Sequence, residues 1–385
     1  MALDERMADA RAGRALPAKG KVCTRCVMDE SDPAIAFDAA GMCSHCHTYD
    51  RFVRPQLLTD SQKRERLPQV VDRIKAAGRG HEYDCVLGLS GGADSSYVAL
   101  NAARLGLRPL IVHFDNGWNS EAAVRNIESV VRTFGLDLVT HVVDWNEFRA
   151  VQLAFLRASV VDIEMITDHA INALVYRSAL SHGLRWILTG QNLVTESILP
   201  SAWVHRKTDR RNLSAIARAG GVGSYESLPV ASTLQVRWWM HVRRVQSVDL
   251  LEYLPYDRAE AIAELAAALG WQDYGGKHHE SLFTRFYQAH LLPVKFGIDK
   301  RRAHLTTMIL SGQITRDEAL SRLALPLYDP VQLEIDREFV AKKWGLTVDE
   351  LDRLLAEPPV PHLAFASDES LFRPLKLIRS VVRGR

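Results

Sequence analysis

Tyr83-Asp-Cys-Val-Leu-Gly-Leu-Ser90-Gly-Gly-Ala-Asp94-Ser-Ser-Tyr-Val-Ala-Leu100 is an apolar run that breaks at Ser-Gly-Gly and resumes with helical spacing. It reads as a strand, an anion-binding turn and a helix. Residues 86–89 suit a strand buried on both faces, while Gly91 and Gly92 let the backbone turn sharply and bring its N–H groups close to a ligand. Asp94, Ser95 and Ser96 open the helix, where unpaired N–H groups and the positive dipole end favour phosphate oxygens, with the hydroxyls of Ser90, Ser95 and Ser96 as further donors. Asp94 repels a bare phosphate, so its expected task is to hold Mg²⁺. The Gly-Lys-Ser/Thr ending of a kinase-type phosphate loop is absent.

After this unit, residues 109–114 read as a second buried strand ending at Asp115-Asn-Gly-Trp118. Ser120 caps a helix running to about Phe134, and residues 138–143 form a third strand. A helix over 145–159 and another from Thr167-Asp168-His169 to about His182 lead to a fourth strand, Trp186-Ile-Leu-Thr189, which ends in Gly190-Gln-Asn192. This alternation predicts an α/β fold with a parallel sheet covered on both faces. Such sheets bind ligands at the carboxyl ends of their strands. The binding residues are therefore expected in the loops after strands one, two and four: Ser90 to Asp94, Asp115 to Trp118, and Gly190 through Asn192 to Glu196.

Upstream, residues 1–20 are Ala- and Arg-rich without apolar periodicity and read as a mobile tail. Residues 21–50 hold Cys23-Thr-Arg-Cys26, sixteen intervening residues and Cys43-Ser-His-Cys46. Two Cys-x-x-Cys pairs at this spacing close a tetrahedral Zn²⁺ site, and four thiolates leave no open position, so the expected role is structural. An iron–sulfur cluster, or His45 or His47 replacing a cysteine, are the alternatives. Cys85 reads as an inert core thiol. A polar connector helix over 51–77 carries this knuckle to the main domain, which spans 51–270. Within it, residues 200–250 are basic and aromatic and read as an insertion covering the site. Leu254-Pro-Tyr-Asp257 reads as a last strand end, and residues 271–385 as a helical C-terminal region.

The 385 residues, 47% hydrophobic and 24% charged, suffice for a sizeable core, and a net charge of +2 disfavours a protein devoted to nucleic acid. No apolar run reaches the length of a membrane span and no secretory signal is visible, so a cytoplasmic location without membrane partners is expected.

Ser90-Gly-Gly-Ala-Asp94-Ser-Ser96 resembles the loop of the PP-loop (HUP-like) ATP pyrophosphatase superfamily, whose members cleave ATP between the α and β phosphates and adenylate a substrate oxygen. Ala93 stands where a branched aliphatic is usual. With His113-Phe-Asp-Asn-Gly-Trp-Asn-Ser120, Thr167-Asp-His-Ala170, Thr195-Glu-Ser-Ile-Leu-Pro200, Trp271-Gln-Asp-Tyr-Gly-Gly-Lys277 and Lys295-Phe-Gly-Ile-Asp-Lys-Arg-Arg-Ala-His304, the chain resembles the N-acetyl sugar amidotransferase family. That resemblance runs from the knuckle to about Arg322. It implies an ATP- and Mg²⁺-dependent conversion of a sugar acetamido group into an acetamidino group in surface-polysaccharide or nonulosonate pathways. The ammonia comes from partner subunits resembling the glutaminase and cyclase of imidazole glycerol phosphate synthase. It further implies that Glu196 joins Asp94 on the metal, that Lys277, Lys295, Lys300, Arg301 and Arg302 neutralise pyrophosphate, and that Asp168 or His169 orients the acetamido group or deprotonates ammonium. Asp168 is alternatively a helix cap, residues 300–302 a solvated helical face, and His278 and His279 surface residues. The rival functions are tRNA thiolation, which needs cysteines near the ATP site, and a zinc-dependent scaffold.

Overall fold

The computed structural model describes residues 8–274 and 280–369. Five parallel strands form its centre: β1 (Cys85–Gly88), β2 (Pro109–Asp115), β3 (Leu138–Val142), β4 (Trp186–Thr189) and β5 (Gln246–Asp249), in the order β3-β2-β1-β4-β5. The chain winds outward from β1 to β3, then returns to the other side of β1 to lay down β4 and β5. The direction of winding reverses between β1 and β4, and parallel sheets open a ligand crevice at such a point.

Helix α1 (Asp60–Ala77) begins at a Thr59/Gln62 capping box. Between strands run α2 (Ala93–Arg104), α3 (Glu121–Phe134) capped by Ser120, α4 (Trp145–Arg157) capped by Asp144, α5 (Met165–Ser181), α6 (Leu193–Glu196), α7 (Arg210–Ala219) and α8 (Thr233–His241). Beyond β5 come α9 (Arg258–Leu269), α10 (Leu282–Phe286) widening into π-type turns over Tyr287–Phe296, α11 (Arg301–Ser311), α12 (Arg316–Ala324), α13 (Pro330–Trp344) and α14 (Val348–Ala356).

Successive strand residues point to opposite faces, and both faces are covered. Leu87, Ile111 and Leu188 pack beneath Ile74 of α1, Val98 of α2, Val130 of α3 and Leu265 of α9. Val86, Leu110 and Ile187 face α4, α5 and the C-terminal helices, so the C-terminal region shares the sheet's own core. One seam of that core is aromatic. Trp118, from the loop after β2, packs on Trp145, Phe283 and Trp344, and the indole N–H groups of Trp118 and Trp344 both donate to the side-chain oxygen of Gln152.

Three boundaries differ from the sequence reading, the first being the segment read as a tail: Ala10 and Leu16 are buried in the main core and the Gly13 carbonyl accepts from Tyr328 N, contacts with distant residues that no local pattern announces. Strand β5 lies inside the stretch read as an insertion, and residues 254–257 form the connection into α9, which Asp257 caps. Gln246-Ser-Val-Asp249 buries only Val248 fully and is an edge strand, so it lacks the apolar run that marks an interior one. The knuckle is also held less by its connector than by the far end of the chain. The Arg302 guanidinium pairs with Asp29 at 3.1 Å and donates to the Val27 carbonyl, and the Arg316 guanidinium donates to the carbonyls of Cys23 and Cys26.

Candidate active site at the switch point of the sheet

The loop after β1 turns at Gly91, whose φ of +78° lies in the left-handed region and whose carbon already approaches the backbone of Ala123. An added Cβ would stand 2.4 Å from the Ala123 carbonyl oxygen, so only glycine fits. The loop is tied internally. Ser90 N–H donates to Ser95 Oγ, Gly92 N–H donates to Ser90 Oγ, and the two hydroxyls lie 3.2 Å apart. Ser96 is fully buried with its hydroxyl turned inward and unpartnered, so it is not the expected donor to a ligand. Gly190, after β4, packs against this loop: its Cβ would meet Ser95 N at 3.0 Å. The two lips of the switch point are thereby in contact.

Asp94 sits in the first turn of α2, and its carboxylate accepts a hydrogen bond from the Tyr256 hydroxyl. Burial, followed by the negative charge of Asp94 and then that of Glu196, pushes the Tyr256 phenol far above its ordinary range. Tyr256 thus lies within the field of both carboxylates, one from each lip. Asp94 and Glu196 are the carboxylates that would hold a Mg²⁺ here, supplying the oxygen ligands a hard divalent cation takes. The Tyr274 hydroxyl accepts the N–H of Ala93, the first residue of α2 and the place where an anion would bind. Segment 271–274 is latched over the turn, with Trp271 Nε1 and Asn126 Nδ2 both donating to the Gly91 carbonyl.

Other expected residues take structural places. Asn192 caps α6, accepting from Thr195 N and Oγ1 at 2.8 Å each. Asp115 accepts from Gly117 N and Asn119 Nδ2, shaping its own turn at the rim. Both nitrogens of His169 are engaged by backbone: Nδ1 donates to the Lys207 carbonyl and Nε2 accepts from Ala231 N. Burial lowers its pKa to about 4, and in this structure both nitrogens are taken by the backbone. Arg301 binds Asp299 and the carbonyls of Arg322 and Leu325 at the end of α12, and Arg302 clamps the knuckle, so both guanidiniums expected at pyrophosphate are engaged by protein partners. Lys295 donates to the carbonyls of Leu354 and Glu357. Lys277 lies outside the described residues, as do His278 and His279.

Asp168 is in the first turn of α5 but does not cap it; its carboxylate pairs with Lys207 at 3.0 Å. Asp168, Lys207 and Lys300 line a cavity of about 80 Å³ with Asp162, Glu164 and Trp203. Burial pushes the Asp162 carboxyl up, but the Lys207 charge and the His205 N–H outweigh it and hold it below the usual carboxylate range. Burial likewise opposes the Lys207 charge, yet Asp168 and Asp162 raise its pKa well above the ordinary value. Lys300 is 3.5 Å from Glu164. Leu199, which lines the cavity, lies three residues beyond Glu196, and Thr167, next to Asp168, accepts from Asn116 Nδ2 of the loop after β2. Sequence reading missed Tyr256, Tyr274 and Lys207 as site residues. All three stand in segments singled out for other reasons, without a local signal of their partners.

The four cysteine sulfurs lie within 4.8 Å of one another, with separations of 3.8 Å (Cys23–Cys46), 3.6 Å (Cys26–Cys43) and 3.7 Å (Cys43–Cys46). A tetrahedral zinc with bonds of about 2.3 Å spaces its sulfurs by about 3.8 Å, so the set fits one Zn²⁺. Backbone N–H groups of Arg25, Cys26 and Cys43 point at Cys23 Sγ, as expected around a thiolate. His45 and His47 are turned to Asp32 and Asp38 and are not ligands. Cys85 is fully buried in β1 and burial pushes its thiol up, which leaves no cysteine exposed beside the loop.

The fold and site are those of a parallel α/β protein with an anion-binding turn at its switch point, with a closed four-cysteine knuckle and a helical C-terminal region. Residues 280–380, about a quarter of the chain, match the family model of the C-terminal domain of WbpG-like LPS biosynthesis proteins. Among solved structures, the NH3-dependent NAD synthetase from Campylobacter jejuni subsp. jejuni NCTC 11168 in complex with the nitrate ion is similar. It is 15% identical over 56% of this chain and 96% of that one, with a TM-score of 0.29, too low to carry an argument. No curated protein matches the sequence.

Proposed function

We propose that this chain is an ATP-dependent amidotransferase that converts the acetamido group of a sugar into an acetamidino group, releasing AMP and pyrophosphate. The observation that carries the reading is the contact of the two lips of the switch point, where Gly190 packs on Ser95 and so brings the loop that leads to Glu196 against the turn that carries Asp94, with a cavity lined by Asp168, Lys207 and Lys300 elsewhere on the Glu196–Leu199 segment. The match of residues 280–380 to a domain of LPS biosynthesis proteins supports a sugar as the substrate class.

An amide carbon is a poor electrophile until its oxygen is made a leaving group. In this reading the amide oxygen attacks the α-phosphorus, the bond to pyrophosphate breaks, and an O-adenylyl imidate results. Bound Mg²⁺ would neutralise phosphate charge. The N–H groups of the turn, including that of Ala93 once Tyr274 yields it, hold departing pyrophosphate. Ammonia then adds to the imidate carbon and AMP leaves. In this reading Asp168, paired with Lys207, orients the acetamido group or takes the proton of incoming ammonium. The ammonia source is a partner glutaminase acting with a cyclase-like subunit. Incubation with ATP, Mg²⁺, ammonium and acetamido-sugar nucleotides, read by mass spectrometry, tests the reading: replacement of an oxygen by NH with AMP release supports it. AMP formation only with tRNA and a sulfur donor would replace it.

A further inference from the structure

Helix α8 presents an outward face unlike that of an ordinary surface helix. Thr233, Val236 and Trp239 turn inward, with the Trp239 ring stacked on Tyr176 of α5 at 5.8 Å. Outward, Leu234 is 67% exposed and Trp238, one turn on, 47%, and Val242 at the helix exit is 62% exposed. Around them stand exposed arginines: Arg237 on the helix, Arg243 and Arg244 at its exit, with the Arg243 guanidinium 5.7 Å from the Trp238 ring centre. Neighbouring elements add more. Arg177 of α5 donates to the Val230 carbonyl just before α8. Exposed Arg210 and Arg211 open α7 close to Thr208, whose carbonyl accepts from Thr233. The Arg185 carbonyl accepts from Gln246 N where the chain leaves α8. Between Glu226 and Asp249 the sequence has no acidic residue, although the whole chain carries a net charge of only +2.

We propose that this arginine-collared apolar face of α8 docks the protein peripherally on an anionic lipid bilayer. A helix lying in the membrane interface seats Trp and aliphatic side chains among the acyl chains and its arginines among the headgroup phosphates. A nucleic acid would engage the arginines and Trp238 but has no use for Leu234 and Val242, since bases stack on aromatic planes. A second copy of the same face would oppose arginine to arginine. Docking needs no membrane span, and among the described residues no helix is long and apolar enough to be one. The exit of α8 and Arg185 lie at the amino ends of β5 and β4, opposite the carboxyl ends that carry the Asp94 and Glu196 loops, so a bilayer there leaves the candidate site open.

Flotation of the full zinc-loaded chain with vesicles tests the proposal. We expect binding to phosphatidylcholine vesicles containing phosphatidylglycerol, little to phosphatidylcholine alone, and release by salt. Arg243→Gln with Arg244→Gln should weaken binding on the order of thirty-fold, at about five-fold per arginine. Leu234→Ser with Trp238→Ser should weaken it at least as much while circular dichroism and zinc content stay unchanged. No binding to either vesicle, or binding indifferent to both double variants, overturns the proposal. So does tRNA binding or self-association that these variants abolish while vesicles are not bound.

Discussion

Replacing Arg302 by Leu separates two roles the residue could have, pyrophosphate partner or clamp of the knuckle. Its side chain is 6% exposed and that of its partner Asp29 is fully buried, with Nε and Oδ2 3.1 Å apart. In the variant, Asp29 keeps the N–H groups of Lys19 and Ser31 but loses its counter-charge, and the Val27 carbonyl loses its donor. Removing one member of a buried pair costs about 3–5 kcal/mol. At about 2 °C per kcal/mol, suited to a chain of this size, Tm should fall by about 6–10 °C. Thermal unfolding by circular dichroism measures the loss, and calorimetric titration with ATP should give an unchanged Kd below the transition. Adding Asp29→Asn should recover part of the loss, because no charge is then stranded. An unchanged Tm with ATP affinity weakened ten-fold or more would refute the clamp and return Arg302 to the nucleotide.

Asp94→Asn should preserve the fold and lower AMP formation at least about a hundred-fold, since an amide is a poor Mg²⁺ ligand; near-normal AMP release would remove the metal assignment. Cys26→Ser should yield unstable protein with substoichiometric zinc, and a stable, zinc-free, active variant would contradict a structural site. His169 and His290 are lowered by burial from 6.5 to about 4. The unfolded chain therefore binds their protons first: their neutral-state stability is fully present above pH 6.5 and is lost as pH falls toward 4, at about 1.4 kcal/mol per pH unit for each group. Urea midpoints that stay flat from pH 6.5 to 5 would contradict this burial. The isolated chain should use free ammonia and show no glutamine hydrolysis, because four cysteines are gathered at the knuckle and Cys85 is buried mid-strand. Hydrolysis persisting in Cys85→Ala would overturn that account.

What could be read from sequence was local. Four strands, the helix cap Ser120, the turn at Ser90–Gly92 and the paired cysteines each announce themselves within a few residues. What could not be read depended on partners far along the chain. Arg301 and Arg302 carry the charge expected of phosphate ligands, yet carbonyls near Leu325 and the distant Asp29 claim them. His169 looks catalytic beside Asp168 until Ala231 supplies an N–H to its second nitrogen. Tyr256 meets Asp94 across 162 residues, and nothing near either marks the meeting. Strand β5 hid for a different reason: an edge strand needs only one buried side chain.

The grip of Arg316 on the carbonyls of Cys23 and Cys26 spans about 290 residues. During synthesis at about 5–20 residues per second, that gap lasts roughly 15–60 s. The knuckle can close on zinc long before the helices that receive it leave the ribosome. For that interval Val27, buried in the finished protein against Leu305, Ala319 and Leu323, has nothing to pack on. A chain that stalls before α12 would carry a finished metal site with an uncovered apolar face, which would expose it to chaperones and proteases that survey new proteins.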